Sequence, residues 1–272
     1  MNYHCTLLLL ILCLCSCNKK DLAPNNTSKT IGHGGMGFSH ALPINCSEAI
    51  SKCLSIGADG VEIDIQLSKD STWVAFHDID LEHSTNLNGL VSKENWSYIQ
   101  NGYYHNPIYA SYSLIKIDDL LKNLENKREH ILAFDLKNFN PDSDNTYLQL
   151  LARKYVELIH EYQIEDNSYL VASTIELLEL IHSIDSNLNL FIYSGENFDQ
   201  SLQQAIDKEF DGIAINLKYL SKDLVTKAHS VGIKVATFGI TTPKQNKVAV
   251  DYNVDYIETD QVSHLVNLLD TQ

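Results

Sequence analysis

The chain has 272 residues, long enough for one large α/β domain or two small ones, and 44% of them are hydrophobic, ample for a core and too many for a disordered chain. Its 35 Asp and Glu outnumber 20 Lys and Arg. No basic cluster or basic patch interleaved with aromatics occurs, which sets nucleic-acid binding aside.

The first seventeen residues, MNYHCTLLLLILCLCSC, hold an apolar run that ends at Cys15. That run is too short to cross a bilayer as a helix and fits the centre of a secretory signal. It closes on Leu14-Cys15-Ser16-Cys17, which resembles the bacterial lipobox. The resemblance implies cleavage before Cys17, acyl chains on that cysteine, and a membrane-anchored protein of the cell envelope, in the periplasm or at the cell surface. One departure is the absence of Lys or Arg ahead of the apolar run, and a plain Cys-rich signal peptide is the alternative. Residues 1–16 are therefore expected to be a signal, 17–29 a polar tether, and 30–272 the folded domain. Once the signal is lost and Cys17 is lipidated, Cys46 and Cys53 remain, on one predicted helix. Seven residues of helix separate them by roughly 10 Å, which favours two small core residues over a disulfide or a metal pair.

From Thr30 onward, short apolar runs alternate with amphipathic stretches. Strands are expected at Thr30–His33, Gly60–Leu67, Ile131–Lys137, Tyr169–Ser173, Leu190–Tyr193, Gly212–Asn216, Lys234–Phe238 and Tyr256–Thr259. Helical spacing covers Ser47–Ser55, Asp118–Asn126, Tyr147–Tyr162, Ile175–Ile184, Phe198–Lys208, Ser221–His229 and Val262–Leu269. This alternation predicts a single (β/α)8 TIM barrel. One connection is irregular: about fifty residues, Ile79 to Glu129, form an insertion between the second and third barrel strands, with an aromatic stretch NGYYHNPIYASYS. A short additional strand is expected at Trp73 to Phe76.

Side chains alternate along a strand, so Val61, Ile63 and Ile65 share one face and Glu62 and Asp64 the other. In a barrel the apolar face meets the helices and the carboxylates point inward, towards the C-terminal mouth where barrel enzymes do their chemistry. Leu132, Phe134 and Leu136 repeat the device, leaving Asp135 and Lys137 inside, and the first strand ends in His33. Glu62, Asp64 and Asp135 offer hard oxygens suited to one divalent cation, Mg²⁺ or Ca²⁺, rather than Zn²⁺. His33 and His77 are candidate proton-transfer groups, and Lys137 supplies a fixed positive charge. Together these groups meet the needs of phosphodiester cleavage.

From about Ile31 to Leu268 the chain resembles the glycerophosphodiester phosphodiesterase family, through His33, the pair Glu62-Ile63-Asp64 within GADGVEIDIQLSKD, His77-Asp78, LAFDLK and YIETD. The resemblance implies hydrolysis of a small phosphodiester, with glycerophosphodiesters yielding an alcohol and glycerol 3-phosphate. Three departures stand out. His33-Gly34-Gly35 replaces the family's His-Arg-Gly, Pro43-Ile44-Asn45-Cys46 replaces Pro-Glu-Asn-Thr, and the third ligand is Asp135 in place of Glu. The first departure is shared with the related spider-toxin phospholipases D, so action on lysophospholipids stays open, as does a non-catalytic lipoprotein that binds a phosphorylated ligand. His40 is expected to be a surface loop residue, and Tyr103, Tyr104, His105 and Tyr112 to pack the insertion.

Overall fold

The alternating pattern resolves into a closed barrel. The computed structural model describes residues 27–38, 40–105 and 112–271. The expected signal, the lipidation site Cys17 and most of the tether lie outside the described residues. The strands are β1 (Lys29–Gly32), β2 (Gly60–Leu67), β3 (Trp73–Ala75), β4 (Ile115–Lys116), β5 (Ile131–Leu136), β6 (Ser168–Ala172), β7 (Asn189–Ser194), β8 (Gly212–Asn216), β9 (Lys234–Ile240) and β10 (Tyr256–Thr259). All except β3 and β4 run parallel around the barrel, and β1 closes it by pairing with both β2 and β10. The helices are α1 (Ser47–Ser55), α2 (Trp96–Ile99), α3 (Ile117–Asn123), α4 (Asn145–Tyr162), α5 (Ile175–Ile184), α6 (Phe198–Asp207), α7 (Lys222–Ser230), α8 (Pro243–Tyr252) and α9 (Val262–Asp270). Apart from the short α2, each follows one barrel strand and covers its outer face.

All of β2 is buried, so its alternation marks two buried faces and not a water-facing edge. Val61, Ile63, Ile65, Leu132 and Phe134 meet the helices. Inside the barrel, Ile31, Ala133, Tyr169, Phe191 and Ala214 form a separate apolar plug. The Tyr169 ring lies 4.7 Å from that of Phe191 and 4.8 Å from that of Tyr256. This plug fills the barrel below the charged layer and leaves only the C-terminal mouth open to a ligand.

The insertion begins as a ribbon: β3 pairs antiparallel with the end of β2, and β4 with β3. It holds a small core of its own, in which Phe76, Leu81, Ile99, Tyr104 and Leu114 pack on Cys46 and Ala49 of the α1 region. Tyr104 and Tyr112 thus pack as expected, whereas Tyr103 is half exposed. Buried Trp73 fastens β3 to α4 by donating from Nε1 to the Lys154 carbonyl.

Four details differ from the sequence reading. Lys29 already belongs to β1, so the domain starts one residue inside the expected tether. Cys46 caps α1 instead of lying in it, its Sγ accepting from the Ala49 N–H. The helix expected at Asp118–Asn126 runs from Ile117 to Asn123. Finally, α8 forms where apolar spacing gives no helix, because buried Asn246 interrupts its core-facing stripe.

Candidate active site

Six side chains singled out in the sequence meet at the mouth of the barrel. His33 follows β1, Glu62 and Asp64 project inward from β2, His77 follows β3, Asp135 projects from β5, and Lys137 follows that strand. Registry explains the convergence, since Asp64 lies directly beside Asp135 across the β2–β5 ladder. All six line one cavity of about 230 Å³, whose opposite wall carries Tyr193 and Phe238, stacked at 5.3 Å.

Glu62, Asp64 and Asp135 each bring a carboxylate oxygen within 4.8 Å of the others. Three hard oxygens on neighbouring strands are a fitting donor set for a divalent cation. Lys137 Nζ lies 2.6 Å from Asp135 and 3.1 Å from Asp64, so Asp135 is ion-paired while its carboxylate also stands beside Glu62 and Asp64. The Gly34 N–H donates to Glu62 at 2.8 Å. Asn45 grips Asp64 twice, donating from its amide to the carboxylate at 2.7 Å and accepting the Asp64 N–H at 3.0 Å.

The site is overloaded with negative charge. Burial, then the charges of Asp64 and Asp135, hold the Glu62 carboxyl well above its ordinary range. Burial also raises Asp135, against the pull of Lys137. Asp64 moves the other way, because Lys137, His77 and the Asn45 bond outweigh the cost of its burial. Glu258 on β10, which the sequence reading passed over, faces the same cavity and is raised by burial and by Glu62.

Each histidine is held by a carboxylate. His33 Nδ1 lies 2.7 Å from Asp260 and Nε2 lies 3.9 Å from Glu258. Burial opposes a charge on His33, but the Asp260 hydrogen bond and the charges of Glu258 and Asp64 raise it to about 9. His77 Nδ1 lies 3.0 Å from Asp78. The Gln66 amide donates to the carbonyls of Phe76 and Asp78, fixing the backbone on either side of His77. Phe38 stands between the histidines, edge-on to both rings, with 62% of its surface exposed.

Glu258, Asp260 and Gln66 are the residues that the sequence reading missed. Gln66 was within reach, as the next inward position after Glu62 and Asp64. The alternation of YIETD likewise points Glu258 and Asp260 inward, although the partnership with His33 depends on closing β10 against β1. His40 is exposed, as expected. Cys46 and Cys53 are both buried free thiols, raised by burial to about 11 and about 12, and take no part in the site.

The sequence profile of the glycerophosphoryl diester phosphodiesterase family matches residues 36–264. A glycerophosphodiester phosphodiesterase of Bacillus altitudinis is 26% identical over 229 residues, covering 82% of this chain and 91% of its own. Among solved structures, a glycerophosphodiester phosphodiesterase of Parabacteroides distasonis superposes with a TM-score of 0.79 at 19% identity, over 91% of this chain and 99% of that one. A phosphodiesterase of Oleispira antarctica in complex with the product sn-glycerol-3-phosphate gives 0.78 at 17% identity, over 90% of this chain and 97% of that one.

Proposed function

Because the chain belongs to the glycerophosphoryl diester phosphodiesterase family, we propose that it hydrolyses glycerophosphodiesters to an alcohol and glycerol 3-phosphate. Two carboxylate-held histidines bordering one cavity lined by four acidic side chains carry this reading. A protein that only binds a phosphoryl ligand has no need of two proton-transfer groups.

Glu62, Asp64 and Asp135 would hold one divalent cation, with Mg²⁺ and Ca²⁺ matching their hard oxygens. Bound there, the cation supplies positive charge to the phosphoryl oxygens and offsets the carboxylate field that raises His33. Lys137 adds its ammonium to the same oxygens. His33, oriented by Asp260, takes a proton from water at Nε2 as the water oxygen attacks phosphorus. His77, oriented by Asp78, gives its Nε2 proton to the departing alcohol oxygen. This division follows exposure: the His77 side chain is the more open to solvent, 39% against 23%, as suits the group that meets a departing alcohol.

A second reading, phospholipase D-like action on lysophospholipids, is favoured by the exposed aromatic surface of Phe38 and Tyr193 beside the site. The proposal extends to the N-terminus, where acylated Cys17 would tether the barrel to the membrane of the cell envelope. The test of function is release of glycerol 3-phosphate by purified protein. Chelator should abolish it, Mg²⁺ or Ca²⁺ should restore it, and Glu62→Gln should not be restored. Turnover that survives exhaustive chelation would remove the cation from the mechanism.

A further inference from the structure

A second cavity of about 200 Å³ adjoins the catalytic one, and His77 lines both. Its apolar walls include Phe38, Ile44 and Phe76, and its polar ones Asp78, Ser84 and Tyr104, with His40 and His105 exposed at its edge. No Lys, Arg or Glu is among the described residues that line it. Asp78 is already engaged by His77.

Four buried side-chain polar atoms lack a hydrogen-bond partner among the described residues, and two of them, Ser84 Oγ and the Tyr104 hydroxyl, belong to this cavity's lining. Buried hydroxyls are nearly always paired, so two orphans at one cavity call for an absent partner. Tyr104 is only 8% exposed and is wedged against Phe76, so bulk water does not readily serve it. The cavity matches the volume of roughly seven water molecules, which suits a small alcohol.

We propose that this cavity receives the leaving alcohol of the phosphodiester, and that Ser84 and Tyr104 select an uncharged polyol or cyclitol there. The inference rests on the reading of His77 as the group that protonates that alcohol, since His77 is the wall common to the two cavities. A polyol satisfies both orphan hydroxyls while its carbon face lies on Phe38 and Phe76. A quaternary ammonium alcohol such as choline offers them nothing once its single oxygen is esterified, and Asp78 is not free to balance its charge.

Glycerophosphoinositol and glycerophosphocholine share the glycerol phosphate arm and differ in the leaving alcohol, so the purified full-length protein should prefer the first in kcat/KM. Tyr104→Phe and Ser84→Ala should each reduce that preference about three- to tenfold, the worth of one hydrogen bond to an uncharged partner. The loss should fall mainly on KM for the inositol diester. The Tm of Tyr104→Phe should not fall, because its hydroxyl has no partner among the described residues. A parent that prefers the choline diester, or variants that leave the ratio unmoved, would overturn the proposal. Bis(p-nitrophenyl) phosphate separates the two levels. If the parent hydrolyses it while the ratio stays unmoved, only the pocket assignment fails. If it hydrolyses none of the three diesters, the catalytic reading fails and the pocket assignment with it.

Discussion

At Gly34 the backbone takes φ +50°, and a β-carbon there would lie 2.4 Å from Cβ of Ile44. These are two of the positions where the chain departs from the family pattern, Gly for Arg and Ile for Glu, so the departures are coupled in space. Gly34 leaves room for Ile44, while its N–H still reaches Glu62. Sequence alone revealed both substitutions but not their contact, because the residues lie ten apart across an irregular turn. Gly34→Ala should cost about 2–4 kcal/mol, combining the positive φ with overlap against Ile44. On an Ile44→Gly background the overlap with that side chain vanishes, the 3.2 Å approach to the Asn45 backbone N stays, and about 1 kcal/mol should remain. A double-mutant cycle in denaturant measures the difference, and equal costs in both backgrounds would disprove the contact.

At the scale of elements, β2, β5 and β10 each aim carboxylates into one cavity, and the consequence is a definite pH dependence. A carboxyl held above its unfolded value keeps a proton that the unfolded chain has released, so stability falls as pH rises past that value, about 4.5 for Glu62 and Glu258. His33, raised from 6.5 to about 9, contributes fully below 6.5 and loses that contribution as pH passes about 9. Asp64, which is lowered, has its window below 3.8 and does not oppose the trend. In chelator, Tm should therefore decline from pH 6 to pH 9. A saturating divalent cation binds the ionised carboxylates and should widen its gain in Tm over the same range. Parallel curves with and without cation would contradict the assigned ligands.

The same scale shows what periodicity reads well and what it misses. The alternation of β2 and β5 was legible because one face is wholly apolar and the other carries charge towards its C-terminal end. Helix α8 was hidden by Asn246, which spends its core-facing position on hydrogen bonds with Thr259 and the Gln261 carbonyl. Its start was nevertheless written in the sequence, as Pro243 at the first turn and a capping box between Thr242 and Gln245. The apolar moment was the weaker signal there, and the cap the stronger.

For the whole molecule, the count of alternating elements sufficed to predict the barrel, since eight βα units have few other ways to bury both faces of their strands. What composition could not convey is closure, and closure is what brings Glu258 on the last strand and Asp260 just after it to His33 at the end of the first. No helix among the described residues is long and apolar enough to cross a membrane. The proposed membrane attachment is through Cys17, and Cys17→Ser should then shift the protein from the detergent phase to the aqueous phase. Unchanged partitioning would leave a plain secreted or otherwise attached protein.

In the proposed mechanism two histidines share the proton transfers, His33 as base and His77 as acid, and the dependence of rate on the leaving group distinguishes these roles. His33→Ala and His77→Ala should each lower turnover of a glycerophosphodiester by about 10²-fold or more. On bis(p-nitrophenyl) phosphate, whose leaving group needs no protonation, His77→Ala should recover most of the lost rate and His33→Ala should not. Recovery by His33→Ala instead would exchange the two roles, and near-parental turnover by both variants on the glycerophosphodiester would contradict the mechanism.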